Sequence, residues 1–166
     1  MVKNPLKFKE VVDAHLELIE ALRVGPYAPP WPGCADPGRS ASGEDFAVVA
    51  LKVSEDFYAA EDDGESLDAA YEEMETERWA VVLALDTRWG PHRTESLQIS
   101  AEREAAGLAV PPPLCALCEL GYFDDLQVWE SGARAVAVGV GQMDKEEPIV
   151  LFAVVAGSAG AFDPTD

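Results

Sequence analysis

Residues Glu65 to Gly90 read ESLDAAYEEMETERWAVVLALDTRWG, and the fold turns on whether they form one element or two. The portion WAVVLAL, from Trp79 to Leu85, would serve as a buried strand, because a short apolar run alone fits either structure. A continuous helix from about Glu65 to Arg88 is the better reading. No glycine or proline interrupts the segment between Gly64 and Gly90. Leu67, Tyr71, Met74, Val81, Val82, Leu85 and Trp89 keep helical spacing, broken only by Arg78. Asp63 or Ser66 is suited to cap the start, and acids in the first turn favour the helix dipole. Arg88 followed by Gly90–Pro91 closes it.

Upstream, Asn4 is placed to cap and Pro5 to open a first helix. Phe8, Val12, His15, Ile19 and Leu22 form its apolar stripe, joined by Val11, Leu16 and Leu18, and Gly25–Pro26 stops it. His15 lies on that stripe and is read as a packed histidine. Residues 25–44 hold five prolines and four glycines, which predicts a long surface loop. Within it, PPWP could present an extended segment, but Trp31 is better placed to cover the core. Phe46 to Val53 (FAVVALKV) predicts a buried strand.

Downstream, Thr94 to Ile99 alternates weakly as an edge strand and 101–113 reads as a connection. Leu114 to Leu120 predicts a short helix stopped by Gly121. Three β runs end the chain: Asp125–Glu130, Ala133–Val140 and Pro148–Ala156, the first two joined by a Ser131–Gly132 turn. The expected product is a single α+β domain over residues 1–166. Its sheet is largely antiparallel, ends in a three-strand meander, and is packed by two long helices and a short one. Residues 158–166 are expected to form a flexible tail.

The formal net charge is −19, and it is concentrated. Residues 55–78 hold eleven acids and one base, Arg78. A field of that sign repels nucleic-acid phosphates and anionic membrane surfaces, and steers a basic partner inward. No apolar run approaches the roughly 20 residues a membrane-spanning helix needs. MVKNPLKFKE lacks the apolar core of a secretory leader, and the three cysteines suit no disulfide framework, so a cytoplasmic location is expected.

Recognisable chemistry is sparse. Cys115 and Cys118 form CALC, but Cys34, His15 and His92 are scattered and supply no second ligand pair for zinc. They are weak metal candidates at most, and the acidic surroundings would raise a thiol pKa. Aligning Gly64 with the sixth position of a calcium loop puts Ala59 and Ala70 where carboxylates belong. A looser cation site at Glu61, Asp62 and Asp63 stays open. Gly38–Ser42 is no serine elbow, GVGQMD cradles no phosphate, and adjacent acids are too common here to mark acid–base catalysis. No cofactor and no catalytic residue is assigned.

Gln142 to Pro148, QMDKEEP, lies between two apolar runs and reads as a hairpin loop with solvated charges at its tip. The stretch VWESGARAVAVGVGQMDKEEPIVLFAVV, and about 45 residues from Pro111 onward, resembles the tails of small actinobacterial proteins with no assigned activity. The resemblance implies a fold unit and no function. Three readings of function follow. The first is an acidic module, of inhibitor or immunity type, that neutralises a basic protein such as a nuclease toxin. Its contacts would be Asp62, Asp63, Glu65, Asp68, Glu72 and Glu73, with Tyr58, Tyr71 and Trp31 as aromatic anchors. The second is a small enzyme or ligand-binding protein with a pocket near Trp129 and the loop residues Gln142, Asp144, Lys145 and Glu146. The third is an assembly subunit using IVLFAVV as a free edge.

Overall fold

The computed structural model describes residues 4–59 and 64–165. Glu65–Trp89 is one uninterrupted 25-residue helix, α2, so WAVVLAL is not a strand. Helix α1 spans Pro5–Val24, with the Asn4 side chain accepting from the Lys7 amide as its cap. The strands are β1 (Ala41–Ser42), β2 (Phe46–Val53), β3 (Arg93–Glu95), β4 (Leu126–Ser131), β5 (Arg134–Gly141) and β6 (Val150–Ala156). Two shorter helices, α3 (Leu97–Ala105) and α4 (Pro112–Leu120), precede the final meander. All six strands form one antiparallel sheet in the order β1-β2-β6-β5-β4-β3.

Both faces of that sheet are covered, which explains why the strands read as apolar runs without the alternation usual in antiparallel sheets. Val136, Val138 and Val140 of β5 and Leu151, Ala153 and Val155 of β6 pack under α1 and α2. The intervening Ala135, Ala137, Val150, Phe152 and Val154 pack on the other side with Leu114 and Leu117 of α4. Every residue of β6 is buried.

Four expectations are corrected. β6 is central, bonded to β2 and β5, so IVLFAVV offers no free edge for assembly. The edge strand is only Arg93–Glu95, and the chain then turns into α3, a helix that the weak alternation of TESLQI hid. A strand would bury Leu97 and Ile99 together, whereas the helix buries Leu97 and Ser100 and turns Ile99 outward. Gly64, in a left-handed conformation, takes the N-cap position of α2; Ser66 falls inside the helix, and Asp63 lies outside the described residues. The C-terminal segment is docked: Ala159–Phe162 forms a 3-10 turn and Phe162 is fully buried in the second core.

The glycines of β5 make slots for rings. Tyr122 and Phe152 stack with centroids 4.9 Å apart. A Cβ at Gly141 would lie 2.4–2.7 Å from Tyr122, and one at Gly139 would lie 2.7 Å from the Phe152 ring. Tyr122 is buried against a second ring and has nowhere to retreat. Gly141→Ala is therefore expected to cost about 2 kcal/mol through overpacking. Urea denaturation measures it, and an unchanged midpoint would contradict the packing described.

Candidate functional site

One stripe of α2 faces solvent along its whole length. It runs Glu65, Asp68, Glu72, Thr76, Trp79, Leu83 and Thr87, at steps of three and four that keep one helix face. The first three are carboxylates with no ion-pair partner among the described residues. Trp79 and Leu83, one turn apart, are 47% and 69% exposed. The stripe thus passes from acidic to apolar. Glu73, expected among the free acids, is paired with Lys52 at 2.9 Å, and Glu75 with Arg78 at 3.0 Å.

Two buried neighbours fix the rotation of the helix that presents this face. The Glu77 side chain is 3% exposed, and its carboxylate accepts from His15 of α1 at 2.9 Å and from the Lys52 amine of β2. A carboxylate has no proton to give, so His15 donates through Nε2. Burial alone would raise the Glu77 carboxyl, but these two donors outweigh it and hold it below the ordinary value. Lys52 reaches inward because a register shift between Ala50 and Lys52 interrupts β2. Leu51 and Lys52 then both address the helices, while Val53 packs on the opposite face. Arg78, the break in the apolar pattern, bonds Gln127 of β4 at 2.8 Å and the Asp125 carbonyl at 2.5 Å.

Near the C-terminal end of α2, Asp86 sits where the helix dipole disfavours a carboxylate. Three donors compensate. The turn at Gly90–Pro91 returns the chain so that the His92 amide reaches Asp86 at 2.9 Å, and His92 Nδ1 reaches both oxygens at 3.0 and 3.1 Å. Trp129 Nε1 donates at 2.9 Å. Against the pull of burial, His92 and then Trp129 hold the Asp86 carboxyl below its ordinary value. Nδ1 must carry the proton, which leaves Nε2 as the free nitrogen of the neutral ring, without a hydrogen-bond partner among the described residues. The ring lies between Trp129 at 5.8 Å and Trp79 at 6.2 Å, beside the apolar end of the stripe.

The loop 142–148 is tied down from three sides. Tyr71 donates to Gln142 Oε1 at 2.8 Å, and Gln142 Nε2 donates to the Glu147 carbonyl at 2.8 Å. The Glu147 carboxylate accepts from Arg39 at 3.0 Å and from the Tyr58 hydroxyl, which that bond pushes up to about 12. Phe57 N–H bonds the Glu146 carbonyl at 2.8 Å, and Asp144 accepts from the Lys145 amide at 2.6 Å.

These bonds join Tyr71 and Tyr58, read as partner anchors, to the loop site. They leave others apart. Trp31 is half-buried on the core and donates to the Tyr27 carbonyl at 3.0 Å, as a cover. Trp129 pairs with Val136, five residues along β5 from Gly141, or roughly 16 Å. The single pocket expected between Trp129 and the loop is therefore two separate places. Glu61, Asp62 and Asp63 lie outside the described residues. Cys115 and Cys118 join no metal-binding cluster among the described residues. Hydrogen bonding to Glu104 pushes the Cys115 thiol up to about 12, and burial pushes Cys118 up to about 11.

No protein-family model matches this chain. Comparison with curated proteins and with solved structures likewise finds no match. Sequence reasoning gave no role to Asp86, Leu83, Arg39 or Glu147, and weighed His92 only as a scattered metal ligand. For two of them a signal existed: an acid near the end of a helix, and a histidine just past the turn that ends it.

Two consequences can be measured. Glu77→Gln is expected to destabilise the fold by about 3 kcal/mol, because it leaves Lys52 and His15 poorly compensated. A loss below about 1 kcal/mol in urea denaturation would mean that the cluster is solvated. Asp86 has a depressed folded pKa, so its contribution is complete above the unfolded value near 4 and is lost as pH falls through the lower folded value. Asp86→Asn should therefore lose less stability than the parent below about pH 4. Parallel curves would contradict the dyad.

Proposed function

We propose that this chain is an acidic protein-binding module whose docking surface is the outward stripe of α2. The observation that carries the reading is the order of residues along that stripe: Glu65, Asp68 and Glu72 without an ion-pair partner among the described residues, then Trp79 and Leu83 exposed one turn apart. An exposed tryptophan beside an aliphatic side chain supplies the kind of anchor on which binding energy concentrates. Unpaired carboxylates along the same face steer a cationic surface into register and raise the association rate. The partner is a basic protein with an apolar recess about one indole wide. An inhibitor or immunity-type protein acting on a basic enzyme has these requirements, and that is the biological role proposed here.

The rigid mounting favours this use. Glu77 and Arg78 face inward next to the exposed Trp79, so the helix cannot roll without breaking buried ion pairs. A pre-set surface loses little entropy on docking.

Affinity capture of basic proteins at low ionic strength, followed by kinetics on whatever is retained, tests the proposal. Trp79→Ala should weaken binding by about 30-fold or more, chiefly through faster dissociation. Asp68→Asn with Glu72→Gln should slow association several-fold and flatten its salt dependence, with dissociation little changed. Capture that survives both sets of changes would assign the contact to another surface and reject the proposal.

A further inference from the structure

On the face of the sheet opposite α1 and α2, a cleft of about 240 Å³ opens between the Pro37–Arg39 turn and the 142–148 loop. The end of α4 and the start of β6 form its floor through Leu120, Tyr122 and Val150, and Met143 stands at its mouth. The two irregular segments that stand out in the sequence, the proline-rich loop and QMDKEEP, meet here. We propose that the cleft binds a small aromatic molecule, neutral or singly cationic, with one polar group directed at Tyr122 and another at Glu147.

Three observations lead to that class. Tyr122 is 2% exposed, yet its hydroxyl has no hydrogen-bond partner among the described residues. Its oxygen keeps contact with solvent at the cleft, so a ligand oxygen or nitrogen there would take over a hydrogen bond that water otherwise makes. Burial pushes this phenol up to about 12, so it remains a donor at neutral pH. The charge around the cleft is already spoken for. Arg39 is bonded to Asp36 at 2.9 Å and to Glu147 at 3.0 Å, so one cation faces two carboxylates. An anionic ligand would meet net negative charge, whereas an ammonium or hydroxyl donor finds a spare lone pair on Glu147.

Size narrows the choice. A cavity of about 150 Å³ admits benzene, and pockets for drug-sized molecules begin near 300 Å³. The cleft lies between them, which suits one ring with a short polar arm. The Met143 side chain, 59% exposed at the mouth, offers the polarisable thioether contact that an aromatic body prefers, beside the aliphatic Leu120 and Val150.

Amide NMR titration of the full chain with tyramine tests the site, with benzoate and cyclohexylamine as controls and Tyr122→Phe as the variant. Tyramine should give saturable shifts confined to the amides near Arg39, Tyr122, Met143 and Glu147. Benzoate and cyclohexylamine should bind at least about tenfold more weakly, for want of the right charge and of the ring respectively. Tyr122→Phe keeps the ring stack and should weaken tyramine about fivefold, the worth of one hydrogen bond. The proposal is overturned if tyramine shifts do not saturate, or if they map to the carboxylates of α2. It also falls if cyclohexylamine or benzoate binds as well, or if Tyr122→Phe binds tyramine unchanged. The docking proposal for α2 stands or falls separately, since no residue is shared.

Discussion

Two consecutive charged residues buried under the middle of α2 hold the rest of the arrangement in place. Glu77 reaches sideways to His15 and Lys52, and Arg78 reaches to Gln127 and the Asp125 carbonyl. Between them they tie the helix to α1, to β2 and to the start of β4. An apolar helix face can slide or roll by a fraction of a turn with modest loss, because dispersion contacts are individually weak. A buried ion pair cannot, since displacement leaves charge without solvent or partner. The rotation of α2 then determines that Glu65, Asp68, Glu72, Trp79 and Leu83 face outward. It also brings Tyr71 to Gln142 and Asp86 to Trp129, so the ends of the helix are secured by contacts that its middle has already aligned.

The sheet supplies the complementary constraint. Helices cover both of its faces, and small residues along β5 let rings enter on the α4 side. Tyr122 fits over Gly141 and Phe152 over Gly139, so two glycines that look like weak points in a strand are places where the core is thickest. The slot that seats Tyr122 also forms the floor of the cleft beneath the 142–148 loop. The α2 stripe and the cleft therefore lie on opposite sides of one rigid layer, and neither needs the other to move.

Much of this was legible in the sequence, and the failures share a cause. The continuous α2, the capped α1, the short helix before Gly121 and the closing meander all follow from local signals: periodicity, caps and breakers. What escaped depends on long-range partners. Lys52 looks like a strand residue turned to solvent until the register shift in β2 and the distant Glu77 are known. Glu147 looks like one more acid in a charged loop until Arg39, 108 residues away, is brought beside it. Trp129 and QMDKEEP are near in sequence, but strand register sets them at different ends of the sheet. Conversely, Arg78 was noticed only as a fault in the stripe, and that fault marked the anchor. A break in an otherwise regular pattern is a reason to look for a buried partner.

Native-state hydrogen exchange along α2 tests the central claim most directly, because it reads whether the helix opens as one unit. If Glu77 and Arg78 anchor a single continuous element, amides from Met74 to Asp86 should share one opening free energy equal to that of global unfolding. No step should occur at the Arg78–Trp79 junction. Exchange that divides there, with residues after Trp79 opening separately from those before it, would contradict the account. It would mean that the two halves are held by different interactions and that the outward stripe is not one rigid surface.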